Sequence, residues 1–358
     1  MPSLPPLKGR GATANAASAR FDDSARVLDG DWLDDRVGID GDAAPLRTTV
    51  TLEHPKTIIT RNRSPDIPFD RSINPYRGCE HGCIYCFARP THAYQNLSPG
   101  LDFESRLFAK PDAPALLRTE LGKRSYTPEI MALGTNTDPY QPIEDRFRIT
   151  RRILEVLAEC DHPVMITTKS ARVLRDLDIL GPMAAKGLAS VVLSVTSLDA
   201  ATARLMEPRA STPARRIQAI RNLSAAGVPT FASLSPIVPA INDHEIEDIC
   251  AAVAGAGAAG AFSIMVRLPH EVAPLFRDWL AAHYPDRAAK VMALIRDMRG
   301  GKDNAGDYFD RFRPQGAYAA MLRARFIAAK RKYGLDSNRP PLRTDLFRPP
   351  AGNQGRLF

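Results

Sequence analysis

From Arg71 to about Val266 the chain alternates two kinds of stretch. Short, mostly apolar runs fall at 72–78, 129–134, 162–168, 188–195, 228–237 and 259–266. Runs of this length and apolarity read as parallel strands covered on both faces. Between them lie segments of helical period, at 111–123, 143–160, 171–186, 214–226 and 242–254. Ile149, Ile153, Leu154 and Leu157 fall on one face of the second of these. Gly181-Pro182 predicts a break in the third. Ser211 or Thr212, followed by Pro213, reads as the start of the fourth, and Gly227 as its end. Asn242 or Asp243 reads as the cap of the fifth. Strand and helix in turn, at a repeat of about 30 residues, predict a parallel sheet with covering helices. Right-handed crossovers curl six such units into an open barrel. The expected fold class is therefore α/β, a partial (βα)6 barrel of the TIM type over residues 46–268. Residues 48–61 alternate β-branched and polar positions and predict a hairpin or edge strand. Residues 1–45 lack any period and read as a flexible, mostly disordered arm. The pattern turns helical after 269, with helices at 272–283, 286–298 and 314–333, so 269–358 reads as a helical, basic extension. Its end, from Asn338, reads as extended.

Composition narrows the class further. A chain of 358 residues, 44% hydrophobic and 25% charged, has the balance of a soluble protein with one large core or two modest ones. Its apolar runs stop well short of the roughly 18 residues of a membrane span. The first residues contain no apolar signal core, so secretion and a membrane partner are not expected. The net charge of +8 admits nucleic acid as a partner. Arg323, Arg325, Lys330, Arg331 and Lys332 on the last helix would supply phosphate contacts. An Arg-rich chain with many Ala and Pro gives the same excess from genome composition alone.

The candidate chemistry is concentrated in Asn74 to Pro90, NPYRGCEHGCIYCFARP, which holds three of the five cysteines. Cys79, Cys83 and Cys86 bring three thiolates into one short loop, the donor set of an iron–sulfur cube. The next cysteine is Cys160, so one iron of such a cube has no protein ligand. Gly78 and Gly82 suit a loop that wraps closely around an inorganic group. The alternatives are a zinc site completed by His81 or His92, and a disulfide framework, which an odd and sparse cysteine count disfavours. Few cysteines and a reduced metal centre point to the cytoplasm.

Cys79-x-x-x-Cys83-x-Tyr85-Cys86 resembles the cluster motif of the radical S-adenosylmethionine (SAM) enzymes. The resemblance implies a [4Fe–4S] cluster on Cys79, Cys83 and Cys86 whose open iron chelates SAM. It also implies reductive cleavage of SAM to a 5′-deoxyadenosyl radical, and an electron donor such as flavodoxin or ferredoxin. The same barrel follows from it, with the active site at the C-terminal ends of the strands. Tyr85 would lie against the adenine. Gly134, Thr135 and Asn136 would meet the SAM amino group, where the family often has Gly-Gly-Glu and this chain departs. Ser194 and Thr196 would hold the ribose or carboxylate, and Lys169 the carboxylate or an anionic substrate. Asp138, Tyr140 and Gln141 would face substrate or form a turn. Together with GTNTDPYQPIE, the segments Met206–Arg209 and 235–243 resemble the branch related to spore photoproduct lyase, over about 73–267. That lyase returns a hydrogen atom from a cysteine some tens of residues past the cluster. This chain has no cysteine between Cys86 and Cys160, and Phe87 stands where the lyase has a second tyrosine. Cys160 and Cys250 read as small buried hydrophobes. The expected function is a radical SAM enzyme acting on an unassigned substrate. The alternatives are repair of pyrimidine lesions in DNA, a lyase reaction, and a metal-stabilised nucleic-acid-binding protein without catalysis.

Overall fold

The computed structural model describes residues 7–16, 18, 20, 46–337 and 341–350. Its strands are β1 (Thr49–Leu52), β2 (Ile59–Arg61), β3 (Arg71–Ile73), β4 (Tyr76–Arg77), β5 (Arg106–Ala109), β6 (Met131–Leu133), β7 (Val164–Thr168), β8 (Ala189–Ser194), β9 (Thr230–Ile237) and β10 (Gly260–Met265). Seven of them form the main sheet, in the order β10-β9-β8-β7-β6-β3-β2. The six from β3 to β10 run parallel and follow one another across the sheet, joined by helical crossovers. These are the six strands the apolar runs predict. Only β2 is antiparallel, at the edge beside β3.

The helices obey the predicted faces. Ile149–Glu159 buries Ile149, Ile153, Leu154 and Leu157. Its predicted start at 143 is a separate turn, Glu144–Phe147, because Arg148 adopts a left-handed conformation between them. Pro182 lies inside Leu177–Ala185 and does not break it. Pro213–Ala225 follows Thr212, with Pro213 in its first turn. Asn242 and Asp243 precede a short 3-10 turn, and the helix proper is Ile246–Gly255. Ala200–Met206, capped by Asp199, was not evident from the pattern.

Alternate residues on each strand face opposite ways. Val191, Leu193 and Val195 join the main core with Leu180, Leu223 and Val253 from the helices, as do Ala232 and Leu234. Ser190, Ser194, Thr196, Ser233 and Ser235 alternate with them and take the opposite face. The sheet thus has an apolar side under helices and a side rich in hydroxyls. Ser194 and Ser233 are register partners near its C-terminal edge.

Three differences from the sequence pattern bear on the site. Residues 48–61 are not a hairpin but two edge strands, since β1 and β2 each end a different sheet. β1, β5 and β4 form a second sheet of three strands, which carries the cysteine loop between β4 and β5. The predicted first strand stops at Ile73 because Asn74 and Pro75 turn the chain toward this small sheet. Of the expected arm, 1–6, 17, 19 and 21–45 lie outside the described residues. Residues 10–13 are not loosely draped, because Arg10, Gly11, Ala12 and Thr13 are buried against the cysteine loop.

Beyond the sheet, Val272–His283 and Pro285–Asp297 pack on each other and on the cysteine loop. Phe276, Trp279 and Ile295 share one apolar cluster with Cys83, Ile84 and Tyr85. Gly316–Lys332 lies on the outer layer against Ile246–Gly255, and Arg325 pairs with Glu247 at 2.5 Å. Leu346 and Phe347 in the tail pack against the core. Among the described residues, no helix is long and apolar enough to cross a membrane.

Candidate active site around the cysteine loop

The loop holding Cys79, Cys83 and Cys86 is braced from four parts of the chain. Gly78 and Gly82 have φ of +70° and +66°, and a Cβ on Gly78 would lie 2.5 Å from Leu107 Cδ2. That conformation and that space admit only glycine. Arg89 is fully buried and donates to the carbonyls of Gly82, Cys83, Pro99 and Gly100 at 2.9–3.1 Å, and to Glu104 Oε1 at 2.5 Å. Glu104 in turn accepts from the backbone N–H groups of Gly11 and Ala12. Gln141 closes the loop from the strand side. Its Oε1 accepts from Glu80 N at 2.9 Å and its Nε2 donates to Gly78 O at 3.1 Å. The fourth brace is the 205–206 backbone, where Met206 O accepts from Ile84 N and Leu205 O from Trp279 Nε1.

A second cluster stands beside the loop, at the C-terminal ends of β7, β8 and β9. Its centre is Glu207, fully buried, which accepts from Tyr85 OH, from Thr196 Oγ1 at 2.5 Å and from Arg216 Nη2. Lys169 Nζ lies 3.5 Å from Glu207 Oε1 and 3.4 Å from Ser235 O, and 5.7 Å from the centre of the Tyr85 ring. Arg216 also donates to Ser194 O at 3.0 Å. Burial would raise the Glu207 carboxyl, but Arg216, Lys169 and the two hydroxyls overcome it and hold the group down at about 2. Glu207 is therefore a carboxylate at any physiological pH.

The thiols show the opposite balance. Burial pushes the Cys79, Cys83 and Cys86 thiols upward, which favours their protonated form in the metal-free chain. Backbone N–H groups of Asp138 toward Cys79, and of Ala88 and Arg89 toward Cys86, act in favour of the thiolate. Hydrogen bonds of this kind also tune iron–sulfur clusters. Among the described residues, no three His, Cys, Asp or Glu side chains converge on a single ion. His92, one candidate fourth ligand, stands edge-on to Phe103 at 5.6 Å and is lowered by burial to about 4. His81, the other, has Nδ1 3.3 Å from Asp138 Oδ2 but out of line for a hydrogen bond. Its Nε2 and Ser235 Oγ are buried without partners, so the residues here retain unused polar atoms for a bound group.

The structure brings most of the sequence candidates together. Tyr85, Lys169 and Thr196 meet at Glu207, and Ser194 is linked through Arg216. Gly134, at φ +83°, sits so close to β7 that a Cβ would meet Thr167 O at 1.9 Å. Asn136 and Thr137 donate backbone N–H groups to Asn74 Oδ1, tying this loop to the residues leading into the cysteines. Of the two readings of Asp138, Tyr140 and Gln141, the structure has the turn, in which Asp138 Oδ1 accepts from Tyr140 N at 2.9 Å. Asp138 accepts from Thr168 Oγ1 and Lys169 N, each at 2.7 Å. Tyr140 is fully buried and donates to Asp176 Oδ2 at 3.0 Å, and Gln141 clamps the loop. Sequence reasoning missed Glu207, Arg216, Arg89 and Glu104. The Met206–Arg209 segment was noticed, but no local signal marks a buried carboxylate whose partners come from 9 to 122 residues away. Cys160 and Cys250 are fully buried in the main core, as expected.

The radical SAM superfamily model matches residues 73–253. An uncharacterized protein of Mycobacterium tuberculosis is 34% identical over 277 residues, covering 77% of this chain and 78% of its own length. An uncharacterized protein of Methanocaldococcus jannaschii is 30% identical over 173 residues, 48% of this chain and 62% of that protein. Among solved structures, spore photoproduct lyase complexed with dinucleoside spore photoproduct aligns with a TM-score of 0.55 at 16% identity, covering 79% of each chain. A mutant of that lyase with bound AdoMet and the same dinucleoside gives 0.56, over 79% of this chain and 78% of that one. The family model covers the cysteine loop, all six parallel strand ends but the last, and Glu207 with its partners, and the chain belongs to the radical SAM superfamily, whose members use a [4Fe–4S] cluster and S-adenosylmethionine.

Proposed function

We propose that this chain holds a [4Fe–4S] cluster on Cys79, Cys83 and Cys86 and binds SAM at the cluster's open iron, within a partial barrel curled from β3 to β10. The observation that carries the reading is the junction of two structures. A buried three-thiol loop, braced from four sides, adjoins a polar network at the ends of β7, β8 and β9. When bound and reduced, the cluster supplies the electron that cleaves SAM to methionine and a 5′-deoxyadenosyl radical. The protein's part is to position and to exclude water. Tyr85 offers a ring face beside the loop, held in place by Glu207. Lys169 offers a cation for the SAM carboxylate. Gly134, Thr135 and Asn136 offer backbone and side-chain groups to the amino end, and Ser194 and Thr196 to the ribose. A reductant such as flavodoxin or ferredoxin and a cytoplasmic location complete the reading.

Anaerobic reconstitution is expected to load about four irons and four sulfides per chain. Dithionite and SAM are then expected to yield 5′-deoxyadenosine. Cys83→Ala should lose iron, while Cys160→Ala and Cys250→Ala should keep it. Zinc in place of iron, with no 5′-deoxyadenosine, would sink the reading.

Repair of a pyrimidine lesion is the second reading, and the shared fold with spore photoproduct lyase favours it. It needs a hydrogen donor other than a cysteine, because Cys160 and Cys250 lie in the core under the helices. On Gly316–Lys332, Arg325 is paired with Glu247, while Arg331 and Lys332 are exposed and would supply the phosphate contacts. Salt-dependent DNA binding tests it, and binding that ignores salt argues against it.

A further inference from the structure

The sheet has two edges, β2 beside β3 and β10 at the far side, and a segment of the C-terminal extension joins them. Arg311 donates to both carboxylate oxygens of Asp66, in the β2–β3 turn, at 2.5 and 2.7 Å. Its guanidinium lies 5.1 Å from the Phe312 ring centre, and that of Arg267 lies 4.7 Å from the same ring. Arg267 stands two residues past the end of β10. Arg299, 94% buried by its 6% exposure, donates to Val266 O at 2.6 Å. Three guanidinium groups from three segments are thus gathered where the sheet ends.

Their counter-charge is incomplete. Asp66 is engaged by Arg311. Asp303 is engaged by Arg277 and Arg296, and the exposed Asp307 and Asp310 pair with none of the three. Among the described residues, no ion pair or hydrogen bond engages the Arg267 guanidinium, although Asp66 is near enough to attract it. The Nε atoms of Arg267 and Arg299 are buried without partners. Arg299 donates from its Nη atoms to the carbonyls of Val266 and Arg311, and a guanidinium N–H left buried and unpartnered, as at these two Nε atoms, costs free energy that a bound anion would recover. Guanidinium groups match the oxygens of phosphate in geometry as well as charge. Burial above all, and then Arg311 and Arg299 beside it, lowers Arg267 to about 10 against the pull of Asp66.

We infer that Arg267, Arg299 and Arg311 form a binding site for a phosphate group of the substrate, seated over Phe312 at the seam between β10 and the β2–β3 turn. The inference rests on reading the strand ends as the catalytic end. It adds to that reading a substrate class, a phosphorylated molecule whose phosphate is held at the open side of the sheet. The exposed rings of Tyr308 and Phe309 in the same segment offer stacking faces for a base beside that phosphate.

Isothermal titration of the full chain with inorganic phosphate, in chloride buffer of matched ionic strength, is expected to show saturable binding. Arg267→Gln is expected to weaken it about tenfold or more, the loss of a charge-assisted contact. Arg299→Lys, which keeps the donor to Val266 but loses the fork, is expected to weaken it as well. Thymidine 5′-monophosphate and a ten-residue oligothymidylate then compete with phosphate. Whichever displaces it at the lower concentration assigns the source as a small ester or a polynucleotide strand. Absence of saturable phosphate binding, or equal affinity in a folded Arg267→Gln, overturns the inference. Iron content and 5′-deoxyadenosine formation are measured on the wild-type chain of the same preparation. Their loss in the wild-type chain would refute the radical SAM reading instead.

Discussion

Glu207→Gln separates a structural carboxylate from a decorative one. Glutamine keeps the shape and still accepts from Tyr85 and Thr196, but it leaves Arg216 and Lys169 without counter-charge. Two routes give the size of the effect. Breaking a buried ion pair from one side costs about 3–5 kcal/mol. Independently, the carboxyl drops from 4.5 to about 2 on folding, a shift of roughly 2.5 units, worth about 3 kcal/mol at 1.36 kcal/mol per unit. The sign follows from the depressed folded value. The stabilisation is fully present above the unfolded pKa and is lost as pH falls through the folded one. It should therefore stand at about 3 kcal/mol at pH 7 and about 2 kcal/mol near pH 3.5. Urea unfolding of the metal-free wild type and Glu207→Gln, followed by circular dichroism at both pH values, measures this gap. A gap below about 0.5 kcal/mol at pH 7, the range of an ordinary surface substitution, would refute the reasoning. So would a gap that widens on acidification.

Two further perturbations test the braces of the cysteine loop. Gln141→Leu removes both bonds to the 78–80 backbone and leaves a buried N–H and a buried carbonyl unpaired. A loss of about 2–4 kcal/mol is expected, with a parallel fall in iron retained after reconstitution; full iron retention would count against the clamp. Gly11→Ala places a Cβ 1.8 Å from Gly82 O, so the 10–13 segment must leave its seat. The thiols of the metal-free chain should then react faster with a disulfide reagent, and an unchanged rate would mean that the segment does not shield them.

Much of this architecture is written in periodicity. The six parallel strands are legible as short apolar runs, and most of their helices because each repeats a burial pattern over five or more residues. The cysteines are legible because their spacing is local. Gln141 and Glu207 are not, because their meaning lies in partners supplied by other segments. Gln141 sits in a turn whose composition suits substrate contact equally well, and only the fold aims its amide at Gly78 and Glu80. The second sheet escaped notice because β4 has two residues, too few to show alternation. Residues 10–13 read as unstructured for a related reason: they are ordered by Glu104, 92 residues or more away, rather than by any pattern of their own.

The four braces also set an order of assembly. Arg10 to Thr13 are made before the loop, but Leu205–Met206 and Trp279 are made long after it. A cluster delivered to the growing chain would meet thiols with half of their support still to be synthesised, in a pocket open to oxygen. A cluster of the kind proposed would be sheltered only once Trp279 has docked on the Leu205 carbonyl.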